Sequence, residues 1–60
     1  MNGSEFYQIM AETLKKEMLE QSEKYNAALA KGDQMAAQVH LGASNEAEKM
    51  LRFVYTMWVN

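Results

Sequence analysis

Apolar side chains recur every three or four residues through the first half of the chain, the spacing of an amphipathic helix. The apolar stripe of this half consists of Tyr7, Met10, Ala11, Leu14, Met18, Tyr25, Ala28 and Leu29, with Gln21 and Ser22 as its polar members. Ser4 is of a type that caps helix amino ends. The pattern predicts a first helix over about residues 4–31.

The second half carries a stripe of its own and predicts a second helix over about residues 33–58. The members of this stripe are Ala36, Val39, His40, Ala43, Ala47, Met50, Val54, Met57 and Trp58. Gly42 lies inside it and, with Ser44, offers an alternative in which one helix ends and another begins. The stripe stays in phase across Gly42, which favours a single continuous helix.

The segment Lys31-Gly32-Asp33 predicts a tight turn between the two helices. Gly32 suits the left-handed position that follows a helix, and Asp33 can cap the next one. So short a connection folds the helices back on each other. The predicted fold class is all-α, an antiparallel αα-hairpin, and we expect two copies to form a homodimeric four-helix bundle. In this register Leu14 meets Met50, and Tyr25 meets His40.

Composition limits the chain to one small domain spanning residues 1–60. Its 60 residues include no Cys and no Pro, with 48% hydrophobic and 23% charged residues. This balance is globular, yet a chain so short is marginally stable as a monomer. No disulfide can brace it, and a single His without Cys makes a metal site improbable. We expect no cofactor and no metal, so that stability comes from helix packing or from association.

A two-helix hairpin covers only one stripe of each helix, and large apolar residues remain outside both stripes. The fold-back gathers them at the end away from the turn, where we predict a partner-binding surface. The predicted residues of this surface are Phe6, Ile9, Leu51, Phe53, Tyr55 and Trp58. The expected partner is a second copy of the chain, another helical protein, or both. Six Met residues suit an adaptable surface, and the alternative is that they fill the core, as Met does in helix-rich proteins.

Catalytic chemistry is not supported by the residue pattern. His40, Ser44 and Glu48 lie at successive helical turns, but Ser44 separates the base from the acid, and nothing supplies an oxyanion hole. The recurring glutamates point away from the stripes, and we interpret them as a solvated charged face. We therefore predict that the chain is not an enzyme.

Nucleic acid and membrane are disfavoured as partners. The net charge is −2, and the bases are mixed with acids. The densest basic spot is Lys15 with Lys16, and it carries the alternative function, an RNA-binding helical-hairpin dimer acting as a small regulator. The apolar run over residues 50–59 is too short to span a bilayer. Without a signal-peptide pattern, the expected location is the cytoplasm.

Near the start of the chain, Gly-Ser is followed by Glu-Phe at residues 3–6, and common cloning sites encode both dipeptides. It stays open whether residues 1–6 are native or come from an expression vector, and whether the chain is a segment of a longer protein. No motif identifies a family. The function expected from the residues is a small protein-interaction or oligomerisation module, such as an adaptor, a chaperone-like subunit or an inhibitor, which uses an apolar Met and aromatic helical face.

Overall fold

The computed structural model describes residues 3–59, which form two antiparallel helices and no strand. Helix α1 spans Gly3–Ala30 and helix α2 spans Gln34–Val59. The predicted all-α hairpin is confirmed, and so is the continuous helix through Gly42. The predicted cap at Ser4 is wrong, because α1 already includes Gly3 and Ser4 has helical backbone.

The turn between the helices closes through backbone hydrogen bonds. The amide of Asp33 donates to the carbonyl of Ala28 at 2.9 Å, and the amide of Gly32 donates to that of Leu29 at 3.0 Å. These two bonds define a Schellman motif, which needs a left-handed residue after the helix. Gly32 supplies it with φ of 75°. Asp33 then caps α2, since its carboxylate accepts the amide of Ala36 at 3.1 Å.

The best-packed part of the interior lies in the half of the hairpin away from the turn. Its buried residues are Ala11, Leu51 and Val54, and the partly buried side chains packed against them are Tyr7, Met10, Leu14 and Trp58. Nearer the turn, the buried positions are alanines, Ala28 and Ala37. Small side chains let the two helix backbones approach closely at that end.

The buried side of α2 differs from the predicted stripe. Val39, Met50 and Met57 were expected inside and are substantially exposed, whereas Leu51 was expected outside and is only 7% exposed. The same holds for Leu29 of α1, which is exposed although the stripe included it. The physical reason in α2 is its line of small and polar residues, which fits against α1 and turns the larger side chains outward.

A layer of polar side chains crosses the middle of the hairpin. His40 donates from Nδ1 to Oε1 of Gln21 at 2.7 Å, and the hydroxyls of Ser22 and Ser44 are hydrogen bonded at 3.2 Å. The predicted register places Tyr25 opposite His40, but the hydrogen bond of His40 goes to Gln21, one helical turn before Tyr25. The polar members of the α1 stripe therefore have partners on α2, and the layer separates the alanine-lined end from the larger apolar cluster.

The hairpin is a single elongated layer. Its Cα atoms extend over 45 × 16 × 10 Å, with a radius of gyration of 13.9 Å. A compact 60-residue domain has a radius of gyration of about 10 Å. Packed helix axes lie about 8–10 Å apart, so the 10 Å dimension accommodates one layer of helices and not two.

Neither of the helices formed by residues 3–59 is both long enough and apolar enough to cross a membrane.

Candidate protein-binding face

One side of the hairpin, at the end away from the turn, presents large apolar side chains from both helices. We call it the apolar face and define it by Phe6, Ile9 and Thr13 of α1 together with Met50, Phe53 and Met57 of α2. A shallow groove of about 220 Å³ runs between the helices on this side, and Ile9, Met10, Thr13, Leu14 and Met50 line it. Met50 therefore lines the same groove as Leu14, the residue with which the predicted register paired it.

The spacing of residues explains why these side chains share one side. Phe6, Ile9 and Thr13 are separated by three and four residues, and so are Met50, Phe53 and Met57. Residues three or four apart are neighbours on a helix surface. Phe53 is the most exposed of the five large apolar residues among them, with 66% of its surface accessible.

The apolar face carries no unmet hydrogen-bonding group at its one polar position. The hydroxyl of Thr13 donates to the backbone carbonyl of Ile9 at 2.9 Å. Its hydrogen bond is thus made within α1, and the groove side of Thr13 behaves as an apolar surface. The face is chemically suited to other apolar side chains.

Two of the six residues predicted for partner binding contribute to the interior instead. Leu51 is buried between the helices, so it is not available at the surface. Trp58 is partly buried and packs against the same cluster. Both stabilise the hairpin, and only Trp58 keeps an accessible edge.

Tyr55 lies on the side of the hairpin opposite the apolar face. It is two residues from Phe53, about 200° around the helix. Its ring stacks on Trp58 with centroids 6.2 Å apart and an interplanar angle of 11°, and the ammonium group of Lys15 lies 5.9 Å from its centroid. The predicted set is therefore divided: Phe6, Ile9 and Phe53 lie on the apolar face, and Tyr55 does not. Phe6 also makes an edge-to-face contact with Tyr7, with ring centroids 5.8 Å apart.

The sequence pattern missed Met50 and Met57 as surface residues. They belong to the stripe that was expected to face α1, and they are about half exposed. The line through Ala37, Ala47 and Leu51 marks the inner side of α2 and could have identified Met50 and Met57 as outer residues. Two of its members are alanines, and small residues at a helical interface allow the two backbones to approach most closely.

The residues considered for catalysis have structural partners. Ser44 bonds Ser22, His40 bonds Gln21, and Glu48 accepts a hydrogen bond from Arg52 at 2.8 Å. Within residues 3–59 no group of three or more His, Asp or Glu side chains is arranged to hold a metal ion. His40 and Ser44 thus take part in contacts between the two helices, and Glu48 pairs with Arg52 on the surface of α2.

Two ion pairs lie on the outer surface of α2. Glu48 pairs with Arg52, and Glu46 lies 3.9 Å from Lys49. The i,i+4 spacing of Glu12 with Lys16 and of Glu20 with Lys24 also permits pairing, but neither pair is closer than 4 Å in residues 3–59. Exposed pairs of this kind contribute little to stability, and the charged side of the hairpin is solvated.

Two further hollows lie at the ends of the molecule. The larger, about 620 Å³, is lined by Gly3, Ser4, Tyr7, Met57 and Trp58, where the two helices end side by side. The other, about 230 Å³, lies beside the turn, and its lining includes Lys24, Lys31, Asp33 and His40. It combines both signs of charge and selects no particular ligand.

Comparison with known proteins finds no matching family model, no significantly similar curated protein and no significantly similar solved structure.

Proposed function

We propose that this chain is a small, non-enzymatic protein-association module that works through the apolar face. Its simplest assembly is a homodimeric four-helix bundle, in which each hairpin covers the apolar face of the other. The observation that carries the proposal is the single-layer shape, since stable domains are built from two packed layers. The missing layer comes from another helical chain.

The accessible surface of the hairpin supports association. A compact monomer of this mass exposes about 4000 Å², whereas this chain exposes 4599 Å². A standard interface buries about 800 Å² on each partner. Covering the apolar face with a second hairpin therefore removes an area of the same order as the excess.

The chemistry of the apolar face also favours a helical partner. Methionine and phenylalanine are enriched in the centres of protein interfaces, and charged residues are depleted there. Two of the six Met residues, Met50 and Met57, lie on the face. Helix faces of this kind bury their apolar side chains between the ridges of a facing helix.

The test is the solution mass of the chain and of the variant Phe53→Glu, measured by light scattering over a range of protein concentrations. We expect a mass near twice 6.9 kDa for the unmodified chain. We expect the monomer mass for Phe53→Glu, because the variant places an unpaired charge against apolar side chains of the partner.

Leu19→Glu is the matched control. Leu19 is 59% exposed, close to the exposure of Phe53, but it lies outside the apolar face. This variant should keep the mass of the unmodified chain. Association that survives Phe53→Glu, or that is lost equally in Leu19→Glu, would show that the apolar face is not the binding surface. A monomeric unmodified chain would contradict the homodimer and leave a different helical protein as the occupant to be sought.

A further inference from the structure

The outer side of α2 carries a stripe whose spacing is the same in both chain directions. Its residues are Met35, Val39, Gly42, Glu46, Met50, Phe53 and Met57, and the steps between them are four, three, four, four, three and four. All seven residues are exposed. Glu46 lies at the middle of the stripe. The last three residues belong to the apolar face, and Met35 and Val39 continue it towards the turn, with 84% and 69% of their surfaces exposed.

We propose that this stripe packs antiparallel against the same stripe of a second copy, with the two-fold axis passing beside Glu46. The inference rests on the proposed homodimer and adds the orientation and register of its two chains. It places Met35 against the partner's Met57, Val39 against the partner's Phe53, and Gly42 against the partner's Met50. A two-fold interface requires a self-complementary surface, and a stripe with symmetric spacing provides one.

The geometry of the stripe suits a long helix contact. Its eleven-residue periodicity, from Met35 to Glu46 to Met57, is close to that of a straight helix, so the stripe keeps to one side of α2. From Met35 to Met57 it covers about 33 Å at 1.5 Å per residue. The hairpin is 45 Å long, and the contact therefore extends over most of its length.

Gly42 gives the facing methionine room. A Cβ atom built on Gly42 would have no neighbouring atom within 4 Å, so the position is open on the surface of the hairpin. Glycine in a helix interior is unfavourable by about 1 kcal/mol relative to alanine. Opposite the partner's Met50, the absent side chain allows a large residue to face a small one, as dense packing requires.

The lysines of α1 lie on the same side of the hairpin as the apolar face. Lys24 and Lys31 follow Thr13 by eleven and eighteen residues, about three and five helical turns. A two-fold axis along the hairpin would set Met35 and Val39 against the partner's lysines. The antiparallel pairing covers Met35 and Val39 with apolar side chains of the partner's α2 and leaves the lysines against the partner's α1.

Glu46 fixes the register at some cost in affinity. Its side chain is 71% exposed, with Lys49 of the same helix at 3.9 Å, and the two-fold axis brings two copies of Glu46 together. A polar residue inside an otherwise apolar helix contact selects one register while weakening the contact. Any shifted register would bury these carboxylates against apolar side chains.

The experiment uses cysteine cross-linking in the full chain, which has no native Cys. Single variants Met35→Cys and Met57→Cys, and a mixture of the two, are treated with a short bismaleimide at a concentration where light scattering gives the dimer mass. We expect a covalent dimer in the mixture and none in either single variant. In the antiparallel register, identical positions near the stripe ends lie about 33 Å apart.

The possible results separate this inference from the proposed function. Cross-linking within a single variant would show a parallel dimer and overturn the register while the homodimer stands. A dimer that cross-links in none of the samples would overturn the role of the stripe. A chain that is monomeric at every concentration would contradict the homodimer as well. Leu19→Cys mixed with Met57→Cys controls for random collision and should give no product.

A charge reversal at the axis gives a second measurement. An equimolar mixture of Glu46→Lys with the unmodified chain brings opposite charges together at the axis of the mixed dimer. Mixed dimers should therefore make up more than half of all dimers, the fraction that random exchange gives. Native mass spectrometry counts the species. Mixed dimers at or below half would show that Glu46 does not face its own copy and would overturn the proposed axis.

Discussion

The turn half and the open half of the hairpin are held together in different ways. The turn half has a Schellman motif, a capped helix start and buried alanines, and its contacts join residues close in sequence. The open half depends on a cluster in which Ala11 packs with Leu51 and Val54, residues about 40 positions later in the sequence. One half is specified mainly by backbone hydrogen bonds, and the other by the burial of large side chains.

This difference indicates where stability and binding are located. Hydrogen bonds of a turn are set by a few local residues and leave no surface that needs covering. Two packed helices cannot bury all of their apolar side chains, because each helix has more of them than one partner helix can cover. The open half therefore contributes both most of the interior and most of the apolar face.

The largest expected effect comes from Leu51→Ala, which removes the largest buried side chain of the open half. Truncation of a buried leucine costs about 2–5 kcal/mol. For a domain this small the loss should abolish most of the thermal transition. Circular dichroism melting at a fixed protein concentration measures it. Leu19→Ala, at an exposed leucine, is the control, and an equal loss in both variants would refute the burial assigned to Leu51.

The next largest effect is expected for Gly32→Ala in the turn half. The left-handed conformation of Gly32 costs an L-residue about 1–2 kcal/mol. Gly32→Asn should lose less, because asparagine tolerates this conformation. Melting curves of the two variants measure how much the backbone of the turn contributes to the stability of the hairpin. If alanine and asparagine gave the same stability as glycine, the backbone would not determine the turn.

The smallest effect concerns the polar layer between the halves. Gln21→Ala removes the acceptor of the His40 hydrogen bond, and we expect a loss of about 0.5–1.5 kcal/mol. Gln8→Ala is the control, since the exposed Gln8 amide only reaches Glu12 at 3.4 Å. Chemical denaturation of both variants measures the difference. A loss no greater for Gln21→Ala than for Gln8→Ala would mean that the layer adds nothing to stability.

Most of the fold could be predicted from the sequence, because its determinants are local. The helix period, Gly32 and Asp33 gave the hairpin, the turn and the helix ends to within one residue. The placement of Leu14 and Met50 at one groove followed from counting residues away from Gly32.

The inner side of α2 could not be predicted in the same way. Two apolar stripes of this helix compete, one with Leu51 and one with Met50, and periodicity alone ranks the larger side chains as core. The choice depends on how closely two backbones approach at Ala37 and Ala47, and on the partners that Gln21 and Ser22 find across the contact. These are properties of the helix pair and not of either sequence segment.

The polar layer also gives the hairpin resistance to sliding. A displacement of α2 by one helical turn, about 5.4 Å along α1, would still bring apolar residues together at both ends. It would, however, remove Gln21 from His40 and Ser22 from Ser44 at once and leave partly buried polar groups without partners. Apolar contact alone holds two helices together at several offsets, and these four side chains select one of them.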